Sequence, residues 1–181
     1  IITLMPGSRK QEIKKILPIF IDVVNKFKSY QFVIAAAPSI ESEFYLSIVK
    51  NNSIKIIHDN TYNLLIHSKA ALVTSGTATL ETALLKIPQL VCYKTSFVSF
   101  FIAKRLVKLN YISLVNLILN KEVVKELIQK NCNAKKITEE LKELLMKKDK
   151  SILKEYELLF KKIGNNKSSK ITSKLIINSI K

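Results

Sequence analysis

The residues best suited to chemistry sit in two short strings. In LVTSGTATLETALLKIP, residues 72–88, an apolar stretch ends in Ser75, Gly76 and Thr77, and a helix-forming stretch follows, stopped by Pro88. A strand that hands over to a helix there leaves free backbone N–H groups at the positive end of the helix dipole, a ready anion site. Ser75 and Thr77 add hydroxyl donors to a backbone nest around Gly76. Glu81 follows about one helical turn later, placed to accept hydrogen bonds from hydroxyls attached to that anion. A phosphate cradle beside a carboxylate suits a nucleoside diphosphate carrying a ribose. Ordinary helix capping, with Glu81 as a solvated carboxylate, is the plainer alternative.

The second string is MPGSRKQE, residues 5–12. Pro6 and Gly7 permit a tight turn, and Ser8 and Arg9 can donate to phosphate oxygens, Arg being suited to bidentate phosphate recognition. Arg9 and Arg105 are the only two arginines among 30 basic residues, so composition would have supplied Lys at position 9. The same string reads equally as a βα loop with Ser8 as helix N-cap and Gln11 or Glu12 closing a capping box. The two roles are compatible.

Three further polar residues stand out. Asn116 lies in the apolar run ISLVNLIL, where an unpaired amide would be expensive; it is either exposed at a site or hydrogen-bonded internally. Glu126 and Gln129, three apart on a predicted short helix, share one face, and as an isolated pair they read as surface residues. His58 and His67 have no carboxylate or cysteine context and read as structural or surface residues. Cys92 and Cys132 have no metal-type spacing, so neither a zinc site nor a disulfide framework is supported. The chain has no GxGxxG and no P-loop.

These residues need elements to position them. Strands are predicted over residues 1–4, 31–36, 54–57, 70–74 and 89–93. Helices are predicted over 10–27, 41–50, 60–68 and 77–86. Pro18 falls inside the first helix and is expected to bend or restart it. This alternation implies an α/β fold, a Rossmann-like parallel sheet with helices on both faces. Both motif turns follow strands, so they share the C-terminal edge of the sheet, where such sheets bind ligands. Beyond Ser96 a long apolar helix is expected over 97–109, a loop-like connection over 110–120 and a short helix over 122–129. Three Lys-rich helices over 134–148, 150–163 and 167–180 complete the chain. Residues 1–133 thus read as one lobe and 134–181 as appended helices.

With 48% hydrophobic residues among 181, the chain can bury a sizeable core, and wholesale disorder is excluded. No apolar run reaches the roughly 18 residues of a spanning helix. The chain opens on IITLMPGSR without Met, on what reads as a core strand, which is expected of a piece of a longer protein. The net charge is +16, and residues 121–181 hold sixteen Lys against eight acids. This surplus reads chiefly as compositional drift over solvated helix faces, and secondarily as attraction for lipid surfaces or polyphosphates. Aromatic–basic interleaving is absent, so no nucleic-acid partner is expected.

LMPGSRKQEI with its following LP, VTSGTATLETALLKIPQLVCYKTS, and FIAKRLVKLNYISLVNLI followed by VVKELIQ together resemble the C-terminal half of the lipid-A-disaccharide synthase family. These are bacterial glycosyltransferases of the two-lobed GT-B architecture. The likeness runs from residue 1 to about residue 130, and residues 134–181 match only in helical character. The resemblance implies transfer of a 2,3-diacylglucosamine unit from its UDP derivative to 2,3-diacylglucosamine 1-phosphate, giving the lipid A disaccharide 1-phosphate and UDP. It assigns phosphate contact to Arg9 with Ser8 beside it, the diphosphate to Ser75, Gly76 and Thr77, and the ribose to Glu81. Asn116 and Gln129 match family site positions, and Glu126 is a further candidate. N–H donors, a helix N-terminus and Arg9 suffice to stabilise leaving UDP, so no metal or other cofactor is expected.

The general base and the acceptor pocket belong to the family's N-terminal lobe, so no base is named in this chain. The implied partners are that lobe, the cytoplasmic face of the inner membrane, on which the enzyme is peripheral, and a second subunit exchanging C-terminal helices. Two other readings compete. Another UDP-GlcNAc-type transferase or epimerase would use the same SGT turn and Glu81. A non-catalytic basic module docking on membranes or polyanions would depend on the Lys-rich segment and be indifferent to Arg9 and Glu81.

Overall fold

Among the described residues, short apolar runs separated by amphipathic stretches fold into six strands, all parallel, with helices on both faces of the sheet. The computed structural model describes residues 1–50, 54–95, 110–146, 151–164, 173 and 176–179. In chain order the elements begin with β1 (Ile2–Met5), α1 (Lys10–Val24), β2 (Phe32–Ala35), α2 (Ser42–Val49), β3 (Lys55–Ile57) and α3 (Thr61–Ile66). They continue with β4 (Ala70–Thr74), α4 (Thr77–Leu84), β5 (Gln89–Tyr93), α5 (Leu114–Leu119) and β6 (Lys125–Ile128). A 3-10 turn (Gln129–Asn131), α6 (Ala134–Met146) and α7 (Ser151–Ile163) follow.

The strand order is β3-β2-β1-β4-β5-β6. The chain therefore winds outward from β1 in one direction, then returns to place β4 on the other side of β1. That reversal is the topological switch point, where crossovers diverge to opposite faces and open a crevice at the strand ends. Side-chain alternation divides the core. Ala70 and Leu72 of β4 join Ile13, Ile16, Phe20, Tyr45, Ile137 and Leu141, from α1, α2 and α6, on one face. Ala71 and Val73 face Leu65 and Ile87 on the other, where Val91 also meets Val115 and Tyr156 of α5 and α7. All residues of β2 and β4 are buried, as strands covered on both faces require.

Three expectations need correction. Helix α1 continues through Pro18 and does not restart there. Pro18 and Lys14 both lie on the exposed side of the helix, so the carbonyl that proline leaves without a donor faces water. The connection over 110–120 contains a helix, α5: Ser113 accepts from the Asn116 N–H as its N-cap, and Asn120 closes it in the left-handed conformation. The stretch read as a helix over 122–129 is strand β6 and a 3-10 turn. Pairing with β5 and burial of Leu127 override its helical propensity. The helix expected over 97–109 and most of that over 167–180 lie outside the described residues.

Two phenols couple this core to pH. The Tyr45 hydroxyl accepts from the Ala37 N–H at 2.9 Å, and the Tyr156 hydroxyl accepts from Gln89 Nε2 at 3.5 Å. Burial raises both above the ordinary value of 10.0, opposed in each case by that hydrogen bond. Ionisation is then easier in the unfolded chain, so the contribution of these groups is complete below pH 10 and is lost as pH rises beyond it. Denaturant melts at about pH 9 and about pH 11 are expected to show this loss, and Tyr156→Phe to flatten it.

Candidate functional site

The turn after β1 is built around Gly7 and Glu12. Gly7 has φ +119°, and a Cβ there would lie 2.8 Å from Glu12 Cβ and 2.7 Å from Glu12 Oε2, so only glycine fits. Glu12 reaches back from the first turn of α1: its Oε2 accepts from the Ser8 N–H at 3.1 Å, and its Oε1 accepts from Arg9 Nη1 at 3.5 Å. Arg9 occupies the N-cap, extended and without a side-chain cap bond. Ser8 is therefore not the cap, whereas Glu12 does close back on the turn. The N–H groups of Lys10, Gln11 and Glu12 have no acceptor among the described residues.

The turn after β4 is the neighbouring one, since β1 and β4 pair from Ile2↔Ala70 to Met5↔Val73. Ser75 N–H extends the ladder to the Cys92 carbonyl at 3.0 Å, and its Oγ donates to the Ile112 carbonyl at 2.9 Å. Both Ser75 donors are thus spent on structure. Gly76 is the N-cap of α4 and, like Arg9, gives no side-chain cap. The N–H groups of Gly76, Thr77 and Ala78 have no acceptor among the described residues, and Gly76 and Thr77 are exposed. Two helix N-termini without side-chain caps, on adjacent strands of one sheet edge, concentrate positive potential at the switch point.

Both turns open into one cleft of about 700 Å³, with Gly7, Ser8, Arg9, Gly76, Thr77 and Glu81 on its wall. That size suits a small-molecule site. Ala35–Pro38, at and after the end of β2, and Asp59–Tyr62, after β3, also line it. Among the described lining residues Arg9 is the single cation, facing Glu12, Asp59 and Glu81. No lysine is among the described residues that line the cleft, so the positive potential they supply comes from backbone dipoles and one guanidinium. Thr74 also lines the cleft; it is 6% exposed, and its Oγ1 has no hydrogen-bond partner among the described residues. Thr74 and these further lining residues are not marked by the sequence motifs, although each ends or follows a strand at the edge where ligands bind.

Asn116, Glu126 and Gln129 do not line this cleft. Asn116 is fully buried with both amide ends engaged: Nδ2 donates to the Val124 carbonyl and to Glu126 Oε1, each at 2.8 Å, and Oδ1 accepts from the N–H groups of Val123 and Val124. Glu126 accepts from the Ile112 and Ser113 N–H groups and the Ser113 hydroxyl. Because Ile112 in turn accepts from Ser75, this node braces the SGT turn from behind. Gln129 stands past the end of β6 at φ +50°, its Oε1 accepting from the Thr95 N–H at 3.1 Å. Glu126 and Gln129 therefore share no helix face. Asn116→Ala leaves several buried groups unpaired and is expected to cost about 3 kcal/mol of stability, measured by urea denaturation.

The histidines have structural partners. His58 Nε2 is 2.8 Å from Ser42 Oγ, and His67 Nδ1 is 2.8 Å from the Asn63 carbonyl. Cys92 and Cys132 are buried side by side; hydrogen bonding to Cys132 and burial push the Cys92 thiol up. No cluster of potential metal ligands occurs among the described residues. No helix among them is long and apolar enough to cross a membrane.

A family model described as lipid-A-disaccharide synthetase matches residues 1–178. The lipid-A-disaccharide synthase of Persephonella marina is 39% identical over 147 residues, covering 74% of this chain and 38% of that protein. That of Syntrophus aciditrophicus is 34% identical, covering 90% and 45%. That of a Sulfurihydrogenibium species is 32% identical, covering 97% and 50%. The chain spans half or less of the length of these relatives.

Proposed function

Because this chain belongs to the lipid-A-disaccharide synthetase family, we propose that it is the UDP-binding portion of a glycosyltransferase that makes lipid A disaccharide 1-phosphate. The donor is UDP-2,3-diacylglucosamine, the acceptor 2,3-diacylglucosamine 1-phosphate, and UDP leaves. The observation that carries this reading is the pair of helix N-termini opening side by side into one cleft, with Glu81 on its wall. In this reading the diphosphate lies across the N–H groups of Gly76, Thr77 and Ala78 and meets Arg9, while Glu81 accepts from the ribose hydroxyls. As the glycosidic bond breaks, negative charge grows on the leaving diphosphate. Donors already aimed at that position stabilise it without reorganising. Asn116 and Glu126 act as positioning residues, through Ile112 and Ser75.

Residues 1–133 are the nucleotide lobe in this reading, and α6 and α7, whose inner faces pack on it, offer their outer faces to the N-terminal lobe or to a second subunit. The general base and acceptor pocket belong to that N-terminal lobe. Work at the cytoplasmic face of the inner membrane suits acylated, anionic substrates, and exposed Leu158, Phe160 and Ile163 beside Lys161 and Lys162 fit that setting. Calorimetric titration of this chain with UDP at near-physiological salt tests the reading. Saturable binding with a Kd below about 1 mM is expected, with no disaccharide made by the chain alone. An absence of binding by the folded chain overturns it.

A further inference from the structure

The Glu12 carboxylate holds Arg9, which the nucleotide-diphosphate reading assigns to phosphate, and the Ser8 N–H of the same turn. It accepts from the Ser8 N–H at 3.1 Å and from the Arg9 guanidinium at 3.5 Å. Its seat is specified by the backbone, since Gly7 at φ +119° leaves room that any Cβ would fill. The hold is nonetheless loose: the Arg9 side chain is 82% exposed and that of Glu12 is 30% exposed, and the ion pair is long. An exposed pair of this kind is weak. A phosphate offers more acceptor oxygens and takes Arg bidentately. The cleft also holds Asp59 and Glu81 against the one cation, so each carboxylate near the turn bears on how a polyanion is held.

We infer that Glu12 is an internal competitor for phosphate at the turn after β1, an affinity-setting residue that yields Ser8 and Arg9 when a diphosphate arrives and reclaims them when it departs. This rests on the reading of the cleft as a nucleotide-diphosphate site. Its consequence is a deliberately moderated grip. A transferase gains turnover when its leaving group, once formed, departs readily.

A helix-capping role alone makes the opposite forecast, because weakening the cap loosens the turn and weakens every ligand. The test is calorimetry of this chain and of Glu12→Gln with three probes: UDP, inorganic pyrophosphate and uridine. Glutamine keeps a carbonyl oxygen for the Ser8 N–H and removes the charge. UDP and pyrophosphate are expected to bind about three- to tenfold more tightly to the variant, with uridine unchanged. Equal or weaker binding of UDP by the variant overturns the competitor role while leaving the nucleotide site standing. Failure of the parent chain to bind UDP overturns the site reading and the competitor with it. Should the variant not fold, the side-chain carboxyl carbon resonance of Glu12 in the parent decides: it must shift on saturation with pyrophosphate, and an unmoved resonance overturns the proposal.

Discussion

Gly76→Val is expected to leave the fold intact and to weaken UDP binding at least about thirtyfold, which is about 2 kcal/mol. Gly76 has φ 162°, extended backbone that any residue adopts. A Cβ at this position meets nothing within 4 Å, so the fold itself places no demand for glycine. What lies beside it is the cleft, and the N–H groups of Gly76, Thr77 and Ala78 are reached from there. A diphosphate bound at the N-terminus of α4 must bring its oxygens within hydrogen-bond distance of those groups, as backbone approach at a phosphate-binding glycine requires. Two valine methyls would stand in that approach. Valine is a poorer N-cap than glycine, and a melting temperature within about 5 °C of the parent is expected. Calorimetry with UDP and a thermal melt of the same sample check both halves. Parent-like affinity would move the diphosphate away from this turn.

Arg9→Ala and Glu81→Ala are expected to separate the two ends of the ligand. Arg9 is exposed, and its side-chain contact among the described residues is the long one to Glu12, so its loss spares the fold. Removing it is expected to weaken UDP and pyrophosphate by about tenfold to thirtyfold and to leave uridine unchanged, as the loss of a charge-assisted donor to phosphate requires. Glu81→Ala removes the carboxylate assigned to the ribose. UDP and uridine should weaken by about tenfold, and pyrophosphate should not, because deleting a negative charge beside an anion cannot cost it affinity. Equal losses for pyrophosphate in both variants would show Glu81 acting on the phosphate turn and not on the ribose.

The two motif turns were legible because their positions follow from local signals. Pro6–Gly7 and Ser75–Gly76 interrupt apolar runs too short for helices, and alternation with helices makes the strands parallel, which brings their C-terminal ends to one edge. Strand β6 was not legible. KELI consists of good helix formers in a run too short for periodicity to decide, and pairing with β5, more than thirty residues earlier in the sequence, makes it a strand. Asn116 stayed open for a similar reason: its partners Val123, Val124 and Glu126 become neighbours only once β6 is in place. Its burial turns a candidate contact residue into a brace. Glu12 read as a cap, which it is. Its hold on Arg9 as well as Ser8 depends on a side-chain position that sequence spacing does not fix. For Ser75, the hydroxyl offered to phosphate is committed to Ile112, a residue 37 positions away.

The most direct test of the central claim is a crystal structure of this chain soaked with UDP. The diphosphate is expected between the turns after β1 and β4, with oxygens on the N–H groups of Gly76 and Thr77 and on the Arg9 guanidinium, and with Glu81 on the ribose. UDP seated on the Lys-rich helices, or turned so that Glu81 faces no hydroxyl, would contradict the assignment of this cleft as the donor site.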